Sequence, residues 1–180
     1  VTNSGGIYVG GDGQAFGAVA VGYYNGTIDN SGTIEATSYT DSAYGAVAQA
    51  KYGDATVTNS GDITVNGYVD SVGIAAVGYF NAYVENSGSV DVYVEYATAI
   101  GVVASGKYGD ATVDNSGSVS AVSGDYGDAI GIYAFAYYDA DGTQVVTHGV
   151  SSSLDLSQAG NFDGWYGFSG ASAPPRALAG

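Results

Sequence analysis

The sequence contains KYGDATVTNSG at Lys51–Gly61 and returns to it as KYGDATVDNSG at Lys107–Gly117, with one difference in eleven positions. The tripeptide Asn-Ser-Gly that ends this segment recurs with spacings of 27, 29, 27 and 29 residues, starting at Asn3, Asn30, Asn59, Asn86 and Asn115. The repeat unit is therefore about 28 residues long, and two units make a superperiod of 56. Such a period is typical of solenoids, in which each repeat stacks on the next.

Hydrophobic alternation around the tripeptide indicates strands. Val or Ile stands two residues before each Asn and again four residues after it, and the residues between are mostly Thr, Ser, Asp or Glu. This period-two pattern of β-branched residues is typical of half-buried strands on either side of a turn. A third strand follows a Gly that recurs in every unit, at Gly17, Gly45, Gly73, Gly101 and Gly131. Three residues after each of these glycines the strand carries Ala.

Three short strands per unit predict an all-β fold. The expected architecture is a right-handed parallel β-helix (β-solenoid) of about five coils over residues 1–150, with an irregular, aromatic-rich C-terminal tail over residues 151–180. The handedness follows from the right-handed crossovers of parallel strands. The chain starts in phase with the repeat at Val1, so an open first coil is expected, onto which another β-helix can stack. If the sequence is a piece cut from a longer chain, the open coil is only the cut.

Composition excludes several classes of function. The chain of 180 residues has 30 Gly, no Cys and a formal net charge of −15. Disulfides and Cys-based zinc sites are impossible. The acidic balance disfavours nucleic acid, whose affinity comes from neutralised phosphates, and no apolar run reaches the ~18 residues that suggest a membrane-spanning helix. We therefore expect neither nucleic-acid binding nor membrane insertion.

The five Asn residues have the same parity as the inward-facing Val and Ile residues. Their amides are expected to hydrogen-bond along the stack as a ladder that stabilises the turn, as Asn side chains do in cross-β structures. A polar ligand site is the alternative interpretation of the same column.

An aromatic residue stands seven positions after each recurring Gly: Tyr24, Tyr52, Phe80, Tyr108 and Tyr138. Its parity predicts an inward-facing column of rings at a corner. The preceding position holds Tyr in odd units and Lys in the second and fourth, at Lys51 and Lys107. Cation–π contacts between these lysines and neighbouring rings are expected. A strip of aromatic rings that binds a glycan is the functional alternative.

The third strand is apolar on its predicted outer face as well, which is typical of strands buried on both sides. A subunit interface is predicted there, at Val19, Val21, Val47, Val77, Val103, Tyr133 and Phe135. The tail supplies further apolar residues that can cover this face or clasp another subunit: Leu154, Leu156, Phe162, Trp165, Tyr166 and Phe168. The sequence leaves open whether the cover comes from the same chain or from a neighbour.

Catalytic chemistry is not indicated. The chain has one His, His148, one Arg and no nucleophile motif, so no enzymatic activity and no cofactor are expected. A polysaccharide-acting enzyme would need clustered carboxylates with basic partners. Asp139 and Asp141 lie in a short Asp- and Gly-containing segment that resembles part of a calcium loop, and they are the candidate ligands should calcium bind.

The repeated V-x-N-S-G-x-I/V phrase and the Gly-Val-Val-Ala and Gly-Ile-Tyr-Ala runs at Gly101 and Gly131 resemble autotransporter passenger domains and related secreted bacterial β-helix adhesins. This resemblance covers about residues 1–150 and implies an extracellular or cell-surface bacterial protein. Two functions are expected from the pattern. The first is a structural filament subunit that forms a homopolymer by head-to-tail stacking, with contacts from the tail. The second is a passenger fragment that acts as an adhesin and binds glycan or calcium.

Overall fold

The computed structural model of the chain describes residues 1–124, 127–137 and 144–147. The predicted all-β solenoid is confirmed: these residues form sixteen strands in three sheets, and every strand pair in the sheets is parallel. Each coil contributes one strand to each sheet, so the sequence repeat is the structural repeat. About five coils stack, and a last strand starts the next turn of the chain.

Sheet 1 contains the strands that end at the Asn-Ser-Gly turns: β1 (Thr2–Asn3), β4 (Gly26–Asn30), β7 (Ala55–Asn59), β10 (Ala82–Asn86), β13 (Ala111–Asn115) and β16 (Gln144–Thr147). Sheet 2 contains the strands that follow those turns: β2 (Gly6–Gly11), β5 (Thr33–Ser38), β8 (Asp62–Gly67), β11 (Ser89–Val94) and β14 (Ser118–Ser123). Sheet 3 contains the strands around the recurring Gly: β3 (Ala15–Gly22), β6 (Ala43–Ala50), β9 (Ser71–Gly78), β12 (Ala99–Gly106) and β15 (Ala129–Ala136).

The 56-residue superperiod resides in two of the three corners of each coil. The corner between sheets 1 and 2 always has two residues. The corner between sheets 2 and 3 has three residues in the first and third coils and four in the second and fourth. The corner between sheets 3 and 1 alternates in the same way. Because strand lengths stay constant, the extra residues lengthen every second coil without shifting the register of the sheets.

Gly53 shows how the longer corner is accommodated. A Cβ at this position would collide with the Tyr24 carbonyl and the Asn25 side chain of the coil below. Gly109 stands in the same place in the fourth coil, where a Cβ would meet the Asn81 side chain. The extra residue is glycine because the longer corner passes directly over the shorter one.

The interior of the solenoid is a column of β-branched and Ala side chains. In sheets 1 and 2 the inward positions next to the Asn-Ser-Gly turn hold Val or Ile, most of them fully buried, and equivalent residues of successive coils are register partners, as in Ile28 with Val57. In sheet 3, Ala48, Ala76 and Ala104 line up as register partners with no exposed surface. The alternation read from the sequence therefore places the correct face inward in all three sheets.

Candidate functional site

The Asn residues form the ladder that the sequence predicts. The Nδ2 atom of each Asn donates to the Oδ1 atom of the next, and all four ladder bonds are 2.7 Å long, along Asn3, Asn30, Asn59, Asn86 and Asn115. Each Nδ2 also donates to the carbonyl of the Gly two residues ahead, as Asn59 does to Gly61 at 3.0 Å. The four inner amides are at most 1% exposed. This arrangement satisfies the amides internally and supports the turn-stabilising interpretation.

The prediction that the aromatic column faces inward is wrong. Tyr24, Tyr52, Phe80 and Tyr108 are between 41% and 69% exposed, and Tyr138 lies outside the described residues. The strands of sheet 3 end at residues 22, 50, 78 and 106, and the chain then bends. Period-two alternation holds only along an extended strand. The alternation of sheet 3 therefore does not apply to these residues, which follow the bend. Their rings lie on the surface of the corner between sheets 3 and 1.

We call the residues 23–25, 51–54, 79–81 and 107–110 the aromatic corner. Its rings form a continuous ladder in which the ring comes alternately from the sixth and the seventh residue after the recurring Gly. The centroid distances are 4.8 Å for Tyr23–Tyr52, 5.7 Å for Tyr52–Tyr79 and 4.8 Å for Tyr79–Tyr108. The ring position alternates because this corner has one more residue in even coils than in odd coils. The amide of Tyr52 donates to the carbonyl of Tyr23, which places its ring over Tyr23 and not over Tyr24.

Lysine bridges the rings in pairs, and the predicted cation–π contacts are present. The Nζ atom of Lys51 lies 5.5 Å from the Tyr23 centroid and 5.3 Å from that of Tyr52. Lys107 lies 5.4 Å from Tyr79 and 5.2 Å from Tyr108. The two shorter ring distances are the two that a lysine spans. We call each lysine with the two rings beside it a clamp, and the described residues contain two, the Lys51 clamp and the Lys107 clamp.

Each clamp carries an additional ring on its odd coil. Tyr24 meets Tyr23 edge to face at 5.0 Å, and Phe80 meets Tyr79 in the same way at 5.2 Å. Among the described residues, each unit thus contains three rings and one ammonium group, and the unit recurs after two coils. At the usual strand spacing this translation is about 9.6 Å.

A second polar ladder beside the rings was missed by the sequence analysis. The Oδ1 atom of Asn25 accepts from the Asp54 amide at 3.1 Å, and that of Asp54 accepts from the Asn81 amide and from its Nδ2 at 2.9 and 3.0 Å. Asn81 in turn accepts from the Asp110 amide at 2.9 Å. The alternation of Asn and Asp directly before β4, β7, β10 and β13 was the signal in the sequence that could have revealed this ladder. It keeps the carboxylates of Asp54 and Asp110 two coils apart.

The outer face of sheet 3 is apolar, and most of it is buried. Val47, Ala75, Val103 and Tyr133 are between 1% and 6% exposed, whereas Val19 and Val21 on the first coil are 41% and 70% exposed. Val77 and Phe135 are half-buried. A further row, which the sequence analysis did not assign, joins this cluster: Tyr44, Val72, Ile100 and Ile130. The tail residues named for this face, Leu154, Leu156, Phe162, Trp165, Tyr166 and Phe168, lie outside the described residues.

Acidic residues line the outer face of sheet 1. Glu85 and Asp114 are register partners on neighbouring strands. Desolvation, followed by the charges of these two carboxylates, raises the pKa of Tyr83 above its usual value. Burial likewise raises the pKa of Tyr133 on sheet 3.

The parts of the chain that the structure describes contain no group of three or more His, Cys, Asp or Glu side chains arranged to hold a metal ion. Asp139, Asp141 and His148 lie outside those parts. Within the same residues, no helix is long and apolar enough to cross a membrane. Comparison with protein-family models, with curated proteins and with solved structures gives no match.

Proposed function

We propose that the protein is a structural subunit of an extracellular filament, which polymerises by head-to-tail stacking of solenoids. The observation that carries this proposal is the equivalence of the coil faces. Each described coil meets the next through parallel, in-register sheets and an Asn–Asn bond of 2.7 Å. A surface built to accept one coil therefore accepts the corresponding coil of a second copy. The extracellular placement rests on the resemblance to secreted β-helix proteins.

The outermost described strands supply the groups that such stacking needs. Among the strands that the structure describes, β2 of sheet 2 has β5 as its single partner. The carbonyls of Gly5 and Gly11 accept from the second coil, at 2.9 and 3.1 Å. Because successive backbone groups of a strand point to opposite sides, the N–H and C=O groups of Tyr8 and Gly10 point away from the second coil. Heterologous contacts of this kind do not close and produce filaments.

Electron microscopy and sedimentation of the wild-type protein and of two variants at one exposed position test the proposal. Tyr8→Pro removes an outward N–H, and proline is tolerated on an edge strand. Tyr8→Ser removes the same ring and keeps the N–H. We expect fibres for the wild type and for Tyr8→Ser, and short or absent fibres for Tyr8→Pro. A wild-type protein that stays monomeric at high concentration, or fibres that Tyr8→Pro leaves unchanged, would contradict the stacking.

The proposed tail contacts have a separate test. Removal of residues 151–180 is expected to abolish assembly if the tail clasps a neighbouring subunit. Circular dichroism of the shortened chain serves as the folding control. Unchanged fibres would refute the clasp and leave end-to-end stacking as the sole mode of assembly.

A further inference from the structure

The geometry of the aromatic corner points to a second function: we propose that it binds a linear, neutral polysaccharide of β-linked pyranoses along the solenoid axis. The site is the ring ladder Tyr23, Tyr52, Tyr79 and Tyr108, with Lys51 and Lys107 as polar partners. This inference does not depend on filament formation, since the corner is present within one chain.

Exposure of the rings is the first argument. Tyr23, Tyr52 and Tyr108 are 60%, 41% and 45% exposed, and Tyr79 between them is half-buried. The ring planes of Tyr23 and Tyr52 are tilted by 55° although the rings contact each other. Tilted rings leave part of each face open to solvent. A contiguous exposed aromatic surface of this kind marks an interaction site more often than a single exposed ring does. The C–H-rich face of a pyranose packs on such rings, while its hydroxyl groups stay at the rim.

The repeat of the site is the second argument. The two clamps are related by two coils, about 9.6 Å. In an extended β-1,4-linked chain each sugar is turned by about half a rotation relative to its neighbour, so the same face recurs at every second sugar. A periodic ligand with a disaccharide repeat can thus place equivalent sugars on the Lys51 and Lys107 clamps. A small ligand would use only one of them.

Charge and hydrogen-bonding groups favour a neutral polymer. The exposed Lys51 ammonium group lies between the rings of Tyr23 and Tyr52 and can donate to hydroxyl oxygens. The Asn25, Asp54, Asn81 and Asp110 column runs beside them. The net charge of −15 opposes a polyanion over the protein as a whole.

Co-sedimentation of the full chain with microcrystalline cellulose and with chitin measures binding directly. We expect saturable binding to at least one of these polymers. The double variant Tyr23→Ala/Tyr52→Ala is expected to weaken it at least tenfold. The control, Tyr39→Ala/Tyr93→Ala, removes two exposed rings from other surfaces and is expected to bind like the wild type. Circular dichroism establishes that both variants are folded.

Three outcomes would overturn the inference. The first is that the protein binds neither cellulose nor chitin. The second is that both double variants lose binding equally, and the third is that the protein binds only a polyanion such as heparin. Sedimentation without polysaccharide tests whether the aromatic corner instead binds a second copy of the chain. In that case Tyr23→Ala/Tyr52→Ala would change the association state of the protein and Tyr39→Ala/Tyr93→Ala would not. Fibre formation by electron microscopy is scored separately, so failure of the filament proposal does not affect this result.

Discussion

Replacement of Asn59 by alanine tests the internal amide ladder at its centre. Asn59 donates to the Oδ1 of Asn86 and accepts from the Nδ2 of Asn30, both at 2.7 Å, in a site with 1% exposure or less. The substitution leaves the Asn86 oxygen without its ladder donor and the Asn30 amide without one acceptor. Leaving a buried polar group unpaired costs about 1–3 kcal/mol. With two such groups, the expected loss in free energy of unfolding is about 3 kcal/mol.

Urea denaturation followed by circular dichroism, below the concentration at which fibres form, measures this loss. With an m-value of about 2 kcal/mol/M, the midpoint should fall by about 1.5 M. Asn3→Ala removes a single ladder bond at the first rung, where Asn3 is 9% exposed, so we expect a loss of about 1 kcal/mol. Ser60→Ala changes the adjacent exposed residue, whose hydroxyl contact is 3.5 Å long, and should have little effect. Equal losses for Asn59→Ala and Asn3→Ala would refute the reasoning.

Three other changes probe the corners and sheet 3. Asn81→Asp places three carboxylates in succession on the outer ladder and should lower the free energy of unfolding by about 1 kcal/mol, most of which 1 M salt should restore. Asp54→Asn adds no charge and should not destabilise the fold. Urea titrations of both variants at low and high salt measure the difference. Gly53→Ala should lower stability by about 1–3 kcal/mol in thermal melts because its Cβ meets the coil below, while Gly5→Ala, which has open space, should cost much less. Burial raises the pKa of Tyr133 in the folded state. The stability that its neutral phenol contributes is therefore complete below the unfolded pKa of about 10 and is lost as pH rises through the folded pKa. An absorbance titration of tyrosine ionisation should show one phase at higher pH than the others, and Tyr133→Phe should lack it.

Much of the fold could be predicted because the repeat carries the same information five times. A single alternation of Val and Thr is weak, but the same alternation at Ile28, Val57, Val84 and Val113 admits one arrangement. Parallel register then followed from the alignment of Asn-Ser-Gly, since like residues must stack to bury the Asn amides. The Asn ladder needed no tertiary information beyond that register.

The sequence by itself thus determined the coil, the register, the core and the inner ladder, since each depends on regular strands in which alternation holds. Only the tertiary structure decided the aromatic corner. The direction of the rings depends on backbone bends at which the strand periodicity ends. The contact of Tyr52 with Tyr23, in place of Tyr24, depends on the one extra residue that this corner has in every second coil. The Asn and Asp ladder beside it has the same origin. In a corner, hydrogen bonds between successive coils and space for a Cβ set side-chain direction, and neither can be read from a pattern of alternation.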